Sequence, residues 1–141
     1  MKVMIVDDHF VVRSGLVASL ELEDDITVVA EAENGESVLE LYQKAKPDVV
    51  LMDLQLPGWN GIETTERLLE GDPQARVLIF STFARDDEIQ VALVSGALGY
   101  LQKTAGRDEL IFALRRIAAG DSYLPAGLAT RLAGLKLGPA I

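Results

Sequence analysis

The most informative segment for the fold is Val49-Val50-Leu51-Met52-Asp53, in which four consecutive apolar residues are followed by an acid. A short apolar run of this kind is typical of a strand that is buried on both faces of a parallel sheet. Four further runs are predicted to form strands, at residues 3–6, 26–30, 77–80 and 98–101. The sequence therefore predicts five short strands.

Amphipathic helices are predicted in the segments between these strands. One stripe recurs at positions i, i+3, i+4 and i+7 and is followed by a proline, at Val38, Leu41, Tyr42, Ala45 and Pro47. Other helices are predicted around Val12, Leu16 and Leu20, at residues 61–70, around Ile89, Ala92 and Leu93, and around Leu110, Leu114 and Ile117. Alternating strands and helices with right-handed crossovers predict an α/β fold, a doubly wound five-stranded parallel sheet with helices on both faces.

The composition excludes several classes of function. The chain has 141 residues, no cysteine and one histidine, His9, which excludes disulfides, thiolate catalysis and multi-histidine metal sites. A net charge of −9 argues against direct binding to a nucleic-acid backbone, which needs clustered cations. No apolar run approaches the roughly 18 residues of a membrane span, and the N-terminus does not resemble a signal peptide. One globular domain in the cytoplasm, without membrane contact, is expected.

The polar residues that follow the strands are the candidate functional residues. The carboxyl ends of parallel strands meet at one edge of the sheet, where open α/β sheets bind ligands. The residues at those positions are Asp7 and Asp8 after the first strand, Asp53 after the third, Ser81 and Thr82 after the fourth, and Lys103 after the fifth. Taken singly, each has a structural explanation as a cap, turn residue, strand end or surface charge, and His9 is expected only to start a helix. Their joint placement favours a shared site.

The chemistry expected at this edge follows from its charges. Three carboxylates in one cleft repel one another, and a bound divalent cation usually offsets this repulsion. Because the protein ligands would all be oxygen atoms, Mg²⁺ is expected before Zn²⁺. A carboxylate can also attack phosphorus to give an aspartyl phosphate, with the metal ion and Lys103 neutralising the phosphoryl oxygens and Ser81 hydrogen-bonded to them. The sequence therefore predicts Asp53 as a phosphate acceptor.

The same residues resemble the receiver domain of bacterial two-component response regulators, over residues 1–120. The matching motifs are Val6-Asp7-Asp8-His9, Met52-Asp53-Leu54-Gln55-Leu56-Pro57-Gly58, Asn60-Gly61, Ser81-Thr82, Ser95-Gly96-Ala97 and Gly99-Tyr100-Leu101-Gln102-Lys103. Their combined order and spacing are highly specific. The segment Asp121-Ser122-Tyr123-Leu124-Pro125 resembles the stretch after the receiver in the LuxR-type (NarL/FixJ) subgroup of transcriptional regulators. The resemblance implies a flavodoxin-like receiver fold with strand order 2-1-3-4-5.

The resemblance also implies a role for each residue of the site. Asp53 would receive a phosphoryl group from the phosphohistidine of a sensor histidine kinase and so control a transcriptional output. Mg²⁺ would be held by four ligands, namely Asp7, Asp8, Asp53 and the backbone carbonyl of Gln55. Lys103 would pair with the phosphate, and Ser81 and Tyr100 would be the switch residues. Such a domain can autodephosphorylate but is not a turnover enzyme, and relatives dimerise through their first and last helices.

The last twenty residues differ in character from the rest of the chain. Residues 122–141 contain no acid, and a short helix is predicted to open at Pro125 and to carry Leu128, Leu132 and Leu135 on one face. Regulators of the LuxR type carry a C-terminal helix-turn-helix domain, for which this segment is too short and not basic enough. Residues 121–141 are therefore expected to be a linker or tail toward an absent DNA-binding domain, through which alone DNA would be bound. The alternative is a stand-alone receiver that acts by protein–protein interaction.

Three other functions remain as competitors. A phosphatase with an aspartate nucleophile would need a second acid two residues after Asp53, where Gln55 stands. A flavin or nucleotide carrier would share the sheet, but acids rather than a glycine-rich phosphate loop follow the first strand. A degenerate receiver that binds partners without phosphate is disfavoured by the complete acidic set.

Overall fold

The computed structural model describes residues 1–134, so Leu135 of the predicted C-terminal stripe lies outside the described residues. The strands are β1 (Lys2–Val6), β2 (Thr27–Ala32), β3 (Val49–Met52), β4 (Val77–Ser81) and β5 (Gly99–Gln102). The helices are α1 (Phe10–Leu20), α2 (Val38–Ala45), α3 (Gly61–Gly71), α4 (Asp86–Val94), α5 (Arg107–Ala118) and α6 (Leu128–Ala133). The predicted alternation of strands and helices is confirmed.

All five strands lie in one parallel sheet, in the order β2-β1-β3-β4-β5. The predicted doubly wound α/β fold and its strand order are therefore confirmed. In the register between the two central strands Val6 lies beside Met52, and the Asp53 amide donates to the Val6 carbonyl at 3.0 Å. The next residues of both strands, Asp7 and Asp53, consequently leave the sheet as neighbours at its carboxyl edge.

Each face of the sheet has its own apolar core, because successive side chains of a strand point to opposite faces. On β3, Val50 and Met52 pack with residues of α2, α3, α4 and α6. Val49 and Leu51 pack with residues of α1 and α5. Burial on both faces explains why the β3 sequence shows no alternation of apolar and polar residues.

The ends of several strands differ from the sequence prediction. β2 runs to Ala32 rather than residue 30, because its partner β1 continues the ladder to Val6 opposite Ala32. β4 and β5 extend to Ser81 and Gln102, which are paired with each other. Backbone pairing with a neighbouring strand therefore carries the strands past the point where the apolar run stops.

The segment predicted as a tail is partly packed on the domain. Tyr123 pairs with Gly99 at the edge of β5, its amide donating to the Leu98 carbonyl at 3.1 Å. The predicted short helix is present as α6, with Leu128 and Leu132 both buried, but its predicted start at Pro125 is wrong: α6 begins at Leu128, because Gly127 has a φ of 82°, outside the right-handed helical region. The division into a domain of residues 1–120 and a tail of residues 121–141 stays a prediction. Within residues 1–134 no helix has the length and apolar character needed to cross a membrane.

Candidate functional site

The carboxyl edge of the sheet holds two buried aspartates. Asp7 and Asp53 follow β1 and β3 and are each only 2% exposed, whereas Asp8 is exposed. Burial of an ionised carboxylate is costly unless hydrogen bonds and an opposite charge compensate it. The surroundings of these two acids therefore decide what the site can do.

Lys103 supplies the compensating charge. Its backbone amide donates to the Ser81 carbonyl at 2.8 Å, which continues the β4–β5 pairing and fixes where the side chain starts. Its Nζ donates to Asp53 Oδ2 at 3.0 Å and also to Asp7 Oδ2. The ammonium, from the end of β5, thus joins the two buried carboxylates that follow the neighbouring strands β1 and β3.

The two aspartates respond differently to this environment. Burial would raise the pKa of Asp7, but hydrogen bonds from Lys103 and from the His9 backbone, with the Lys103 charge, leave that pKa below its ordinary value. For Asp53 burial dominates and leaves its pKa raised, although Lys103 and the Gln55 amide oppose the shift. For Lys103 burial opposes the charged form, but hydrogen bonds from its ammonium to the two carboxylates leave its pKa raised. Lys103 therefore stays protonated at neutral pH.

Backbone amides of the two loops hold the carboxylates in place. The His9 amide donates to Asp7 Oδ1 at 2.8 Å, and the Gln55 amide donates to Asp53 Oδ1 at 3.2 Å. These are turns in which an aspartate accepts from the residue two positions later. Each loop therefore orients its own acid.

Arg13 is a residue of this site that sequence reasoning missed. Its guanidinium donates to the Asp7 carbonyl at 2.6 Å and to Glu31 Oε1 at 3.3 Å, and the side chain is largely buried. A cation in the first turn of a helix is disfavoured by the helix dipole, and that was the available signal. Arg13 ties the loop after β1 to the end of β2.

The donor atoms at this edge fit a hard divalent cation. Oxygen atoms of Asp7, Asp8 and Asp53 lie within 4.8 Å of one another, together with a ring nitrogen of His9. Three carboxylates against one ammonium leave an excess of negative charge that such an ion would neutralise. His9, predicted only to start a helix, precedes α1, and its Nδ1 lies 3.1 Å from both Asp7 Oδ1 and Asp8 Oδ1. Its ring therefore lies against two of the predicted metal ligands.

The remaining predicted residues lie on and beyond β4 and β5. Ser81 is buried, and its hydroxyl donates to the Phe83 carbonyl at 3.3 Å. Tyr100 is buried on the neighbouring strand, opposite Ile79, so it lies on the same face as Ser81. Thr82, by contrast, is exposed. The structure thus brings Asp7, Asp53 and Lys103 into direct contact and buries the two predicted switch residues on one face.

Comparison with known proteins gives a consistent result. The model of the response regulator receiver domain matches residues 3–115. The nitrate/nitrite response regulator NarL of Escherichia coli K12 is 39% identical over 131 residues, which cover 93% of this chain and 61% of NarL. The response regulator GacA of Pseudomonas aeruginosa is 38% identical over 133 residues, covering 94% of this chain and 62% of GacA. The chain spans about three fifths of the length of these curated relatives.

Solved structures extend the similarity to the fold. A LuxR-family two-component response regulator from Aurantimonas sp. SI85-9A1 superposes with a TM-score of 0.88 at 37% identity, covering 94% of both chains. The isolated receiver domain of RcsB from Salmonella enterica serovar Typhimurium, solved with the phosphomimetic BeF₃⁻, has a TM-score of 0.82 at 25% identity. That match covers 94% of this chain and 97% of the RcsB domain.

Proposed function

This chain belongs to the response regulator receiver family, in its NarL/FixJ-type branch, and from that premise we propose that Asp53 accepts a phosphoryl group from a sensor histidine kinase. The observation that carries the proposal is the Lys103 ammonium, which contacts both buried aspartates at the edge of the sheet. A lone buried acid would be a structural liability. An acid paired with a cation beside further carboxylates is equipped to receive a phosphoryl group and a metal ion.

In the transfer step, an oxygen of the Asp53 carboxylate attacks the phosphorus of the kinase's phosphohistidine. A P–O bond forms as the P–N bond breaks, and the released electron pair stays on the imidazole nitrogen, which takes up a proton. Lys103 stabilises the negatively charged oxygens of the phosphoryl group during transfer, because its Nζ already lies 3.0 Å from Asp53 Oδ2. The protein contributes position and charge rather than a second nucleophile.

The residues proposed to hold Mg²⁺ are Asp7, Asp8, Asp53 and the backbone carbonyl of Gln55. When bound, the ion supplies positive charge that neutralises the phosphoryl oxygens during transfer. Asp7 is held for that task by the His9 amide, by Lys103 and, through its carbonyl, by Arg13.

The proposed response to phosphorylation begins at Ser81. Its hydroxyl, which donates to the Phe83 carbonyl, would turn to a phosphoryl oxygen, and Tyr100 on the same face would adjust to the vacated space. A homodimer formed through α1 and α5 and control of transcription, with DNA bound by a separate domain, complete the proposal. The chain would thus be a phosphorylated signalling component in the cytoplasm, not a turnover enzyme.

The direct test is intact-mass spectrometry after incubation with Mg²⁺ and acetyl phosphate. We expect the wild type to gain one phosphoryl group, the Asp53→Ala variant to gain none, and chelation of Mg²⁺ with EDTA to suppress the gain. Asp121→Ala, which removes an exposed aspartate after α5, is the matched control and should be phosphorylated like the wild type. The proposal fails if the wild type gains no mass or if Asp53→Ala gains as much.

A further inference from the structure

The helix α6 is docked on the domain by a small set of contacts. It is six residues long and lies against α4, where Leu128 and Leu132 are 2% and 6% exposed. Its other described residues are exposed. Burial of two leucines must offset the ordering of a whole short helix, so the docked form is favoured by a modest free energy that the loss of one further contact can lower.

One ion pair joins α6 to the beginning of α4. The guanidinium of Arg131 donates to both carboxylate oxygens of Asp86, each at 3.0 Å. Asp86 is the first residue of α4, so its position is set by the preceding loop from β4. The docking of α6 is therefore linked to the conformation of that loop.

The loop from β4 to α4 borders a cavity that gives it room to move. The cavity has a volume of about 350 Å³ and is lined by the loop, by Tyr100 and by α6. The loop contributes Phe83, Ala84 and Arg85 to the lining, α4 contributes its first residue, Asp86, and α6 contributes Leu128 and Arg131. Close packing does not hold the loop against α6, so a change in the loop is not blocked by neighbouring atoms.

The loop is connected to the acceptor site through Ser81. In the docked arrangement the Ser81 hydroxyl donates to the Phe83 carbonyl at 3.3 Å. A serine hydroxyl has a single proton to donate, so it cannot serve the Phe83 carbonyl and a phosphoryl oxygen at the same time. A phosphoryl group that captured this proton would release the Phe83 carbonyl and change the loop that positions Asp86.

We propose that α6 is a phosphorylation-sensitive strap: capture of Ser81 by the phosphoryl group on Asp53 loosens the docking of α6 on α4. The coupling runs from Ser81 to the loop at Phe83, then to Asp86 and Arg131. Release of α6 uncovers the apolar surface of α4 and β5 beneath Leu128 and Leu132. The inference rests on the proposed function, because it needs Asp53 to be phosphorylated.

Hydrogen exchange measured by mass spectrometry on the full chain tests the strap. The sample is incubated with Mg²⁺ and acetyl phosphate, and its intact mass is recorded with the exchange of residues 128–133. We expect exchange there to accelerate by about five-fold or more on phosphorylation, the lower range of ordinary coupling between sites, while α5 stays unchanged. In Ser81→Ala the exchange of α6 is normalised to the fraction of phosphorylated protein in the intact-mass spectrum, whatever that fraction is, and should not differ from the unphosphorylated value.

The outcomes separate the two proposals. A phosphorylated wild type whose α6 exchanges at an unchanged or slower rate overturns the strap and leaves Asp53 as the acceptor. A wild type that gains no mass overturns the proposed function, and the strap falls with it. Acceleration that persists in phosphorylated Ser81→Ala also overturns the strap as described, because the route through Ser81 would then be wrong.

A reciprocal measurement needs no phosphoryl transfer. Because coupling is mutual, loosening α6 must raise the affinity for a phosphoryl mimic by the same factor. Arg131→Glu should release α6 and tighten beryllofluoride binding about five-fold, read from the fluorescence of the single tryptophan, Trp59, six residues after Asp53. The matched control is the double variant with Asp86→Arg, which restores the ion pair with reversed charges and should return the wild-type affinity. A released α6 with unchanged affinity overturns the coupling.

Discussion

On the side of the sheet that carries α1 and α5, the helices are held by several ion pairs as well as by apolar packing, whereas among the described residues α6 is joined to α4 by apolar packing and one ion pair. Arg107 Nη2 bonds Glu23 Oε2 at 2.9 Å and the Ser19 carbonyl at 3.1 Å, joining α5 to the end of α1. Arg115 bonds both Glu23 and Asp25. These bonds link α5 to α1 and to the turn that follows it.

The α4 and α6 side contains defects in place of such a network. The side-chain oxygen of Gln90 is buried without a hydrogen-bond partner among residues 1–134. A cavity of about 350 Å³ separates the loop before α4 from α6, and one ion pair, Arg131 with Asp86, joins these elements. The ion-pair network therefore lies on the α1 and α5 face, and the cavity lies on the α4 and α6 face. Ser81 and Tyr100 lie on the face that carries α4 and α6.

The largest expected contrast comes from the same substitution on the two faces. Leu114→Ala, in α5, should lower the free energy of unfolding by about 2–5 kcal/mol, because Leu114 is fully buried in a region that cannot detach separately. Leu132→Ala, in α6, should lower it by about 1 kcal/mol or less, because local undocking of α6 limits the loss. Urea denaturation of both variants makes the comparison. Equal losses would show that α6 is as firmly held as α5.

The Gln90 side chain offers a smaller effect of opposite sign. Gln90→Leu removes a buried acceptor that has no partner among the described residues, so it should raise the free energy of unfolding by about 1 kcal/mol. Gln43→Leu is the matched control, because Gln43 is exposed on α2 and its replacement should change stability by less than about 0.5 kcal/mol. Urea midpoints of the two variants give the answer. Destabilisation by Gln90→Leu would mean that the Gln90 side chain makes a stabilising hydrogen bond in the folded protein.

The sequence predicted the sheet and the centre of the site because both follow from local pattern and topology. The apolar runs located the strands, and parallel strands bring Asp7, Asp53 and Lys103 to one edge whatever the details of packing. The contact of Lys103 with both acids could not be predicted, because it depends on how a long side chain lies between two loops. The role of Arg13 was missed for the same reason, since its bond to the Asp7 carbonyl is not a pattern in the sequence.

The packing of α6 was also beyond the sequence. Residues 121–141 are expected from the sequence to be a linker or tail with Leu128 and Leu132 on one face of a short helix, and only the apolar surface left by α4 decides that these two leucines become buried. Helices this short take their stability from tertiary contacts rather than from propensity. The end of a strand can be predicted from the local sequence, whereas the docking of a short helix depends on the surface against which it packs.

The smallest expected effect concerns the ion pairs of the α1 and α5 face and their response to acid. A hydrogen bond from Arg107 is the main cause that lowers the pKa of Glu23, and one from Arg115 lowers the pKa of Asp25. Carboxylates with a lowered folded-state pKa stabilise the protein above their unfolded pKa, near 4, and lose that contribution as the pH falls through the folded value. Stability should therefore decline as the pH is lowered from about 5 to 3.

Replacing Arg115 isolates this contribution. Arg115→Met leaves both carboxylates in place but removes the ion pair of Asp25, and Glu23 then pairs only with Arg107. The decline in the free energy of unfolding between about pH 5 and 3 should therefore be smaller in the variant than in the wild type. Because these groups are exposed, 1 M salt should reduce the difference between the variant and the wild type. Arg67→Met, which removes the exposed partner of Glu63 within α3, is the control and should leave the acid response unchanged. Urea unfolding at each pH measures the effect, and identical pH profiles for Arg115→Met and the wild type would show that apolar packing alone holds α5 in place.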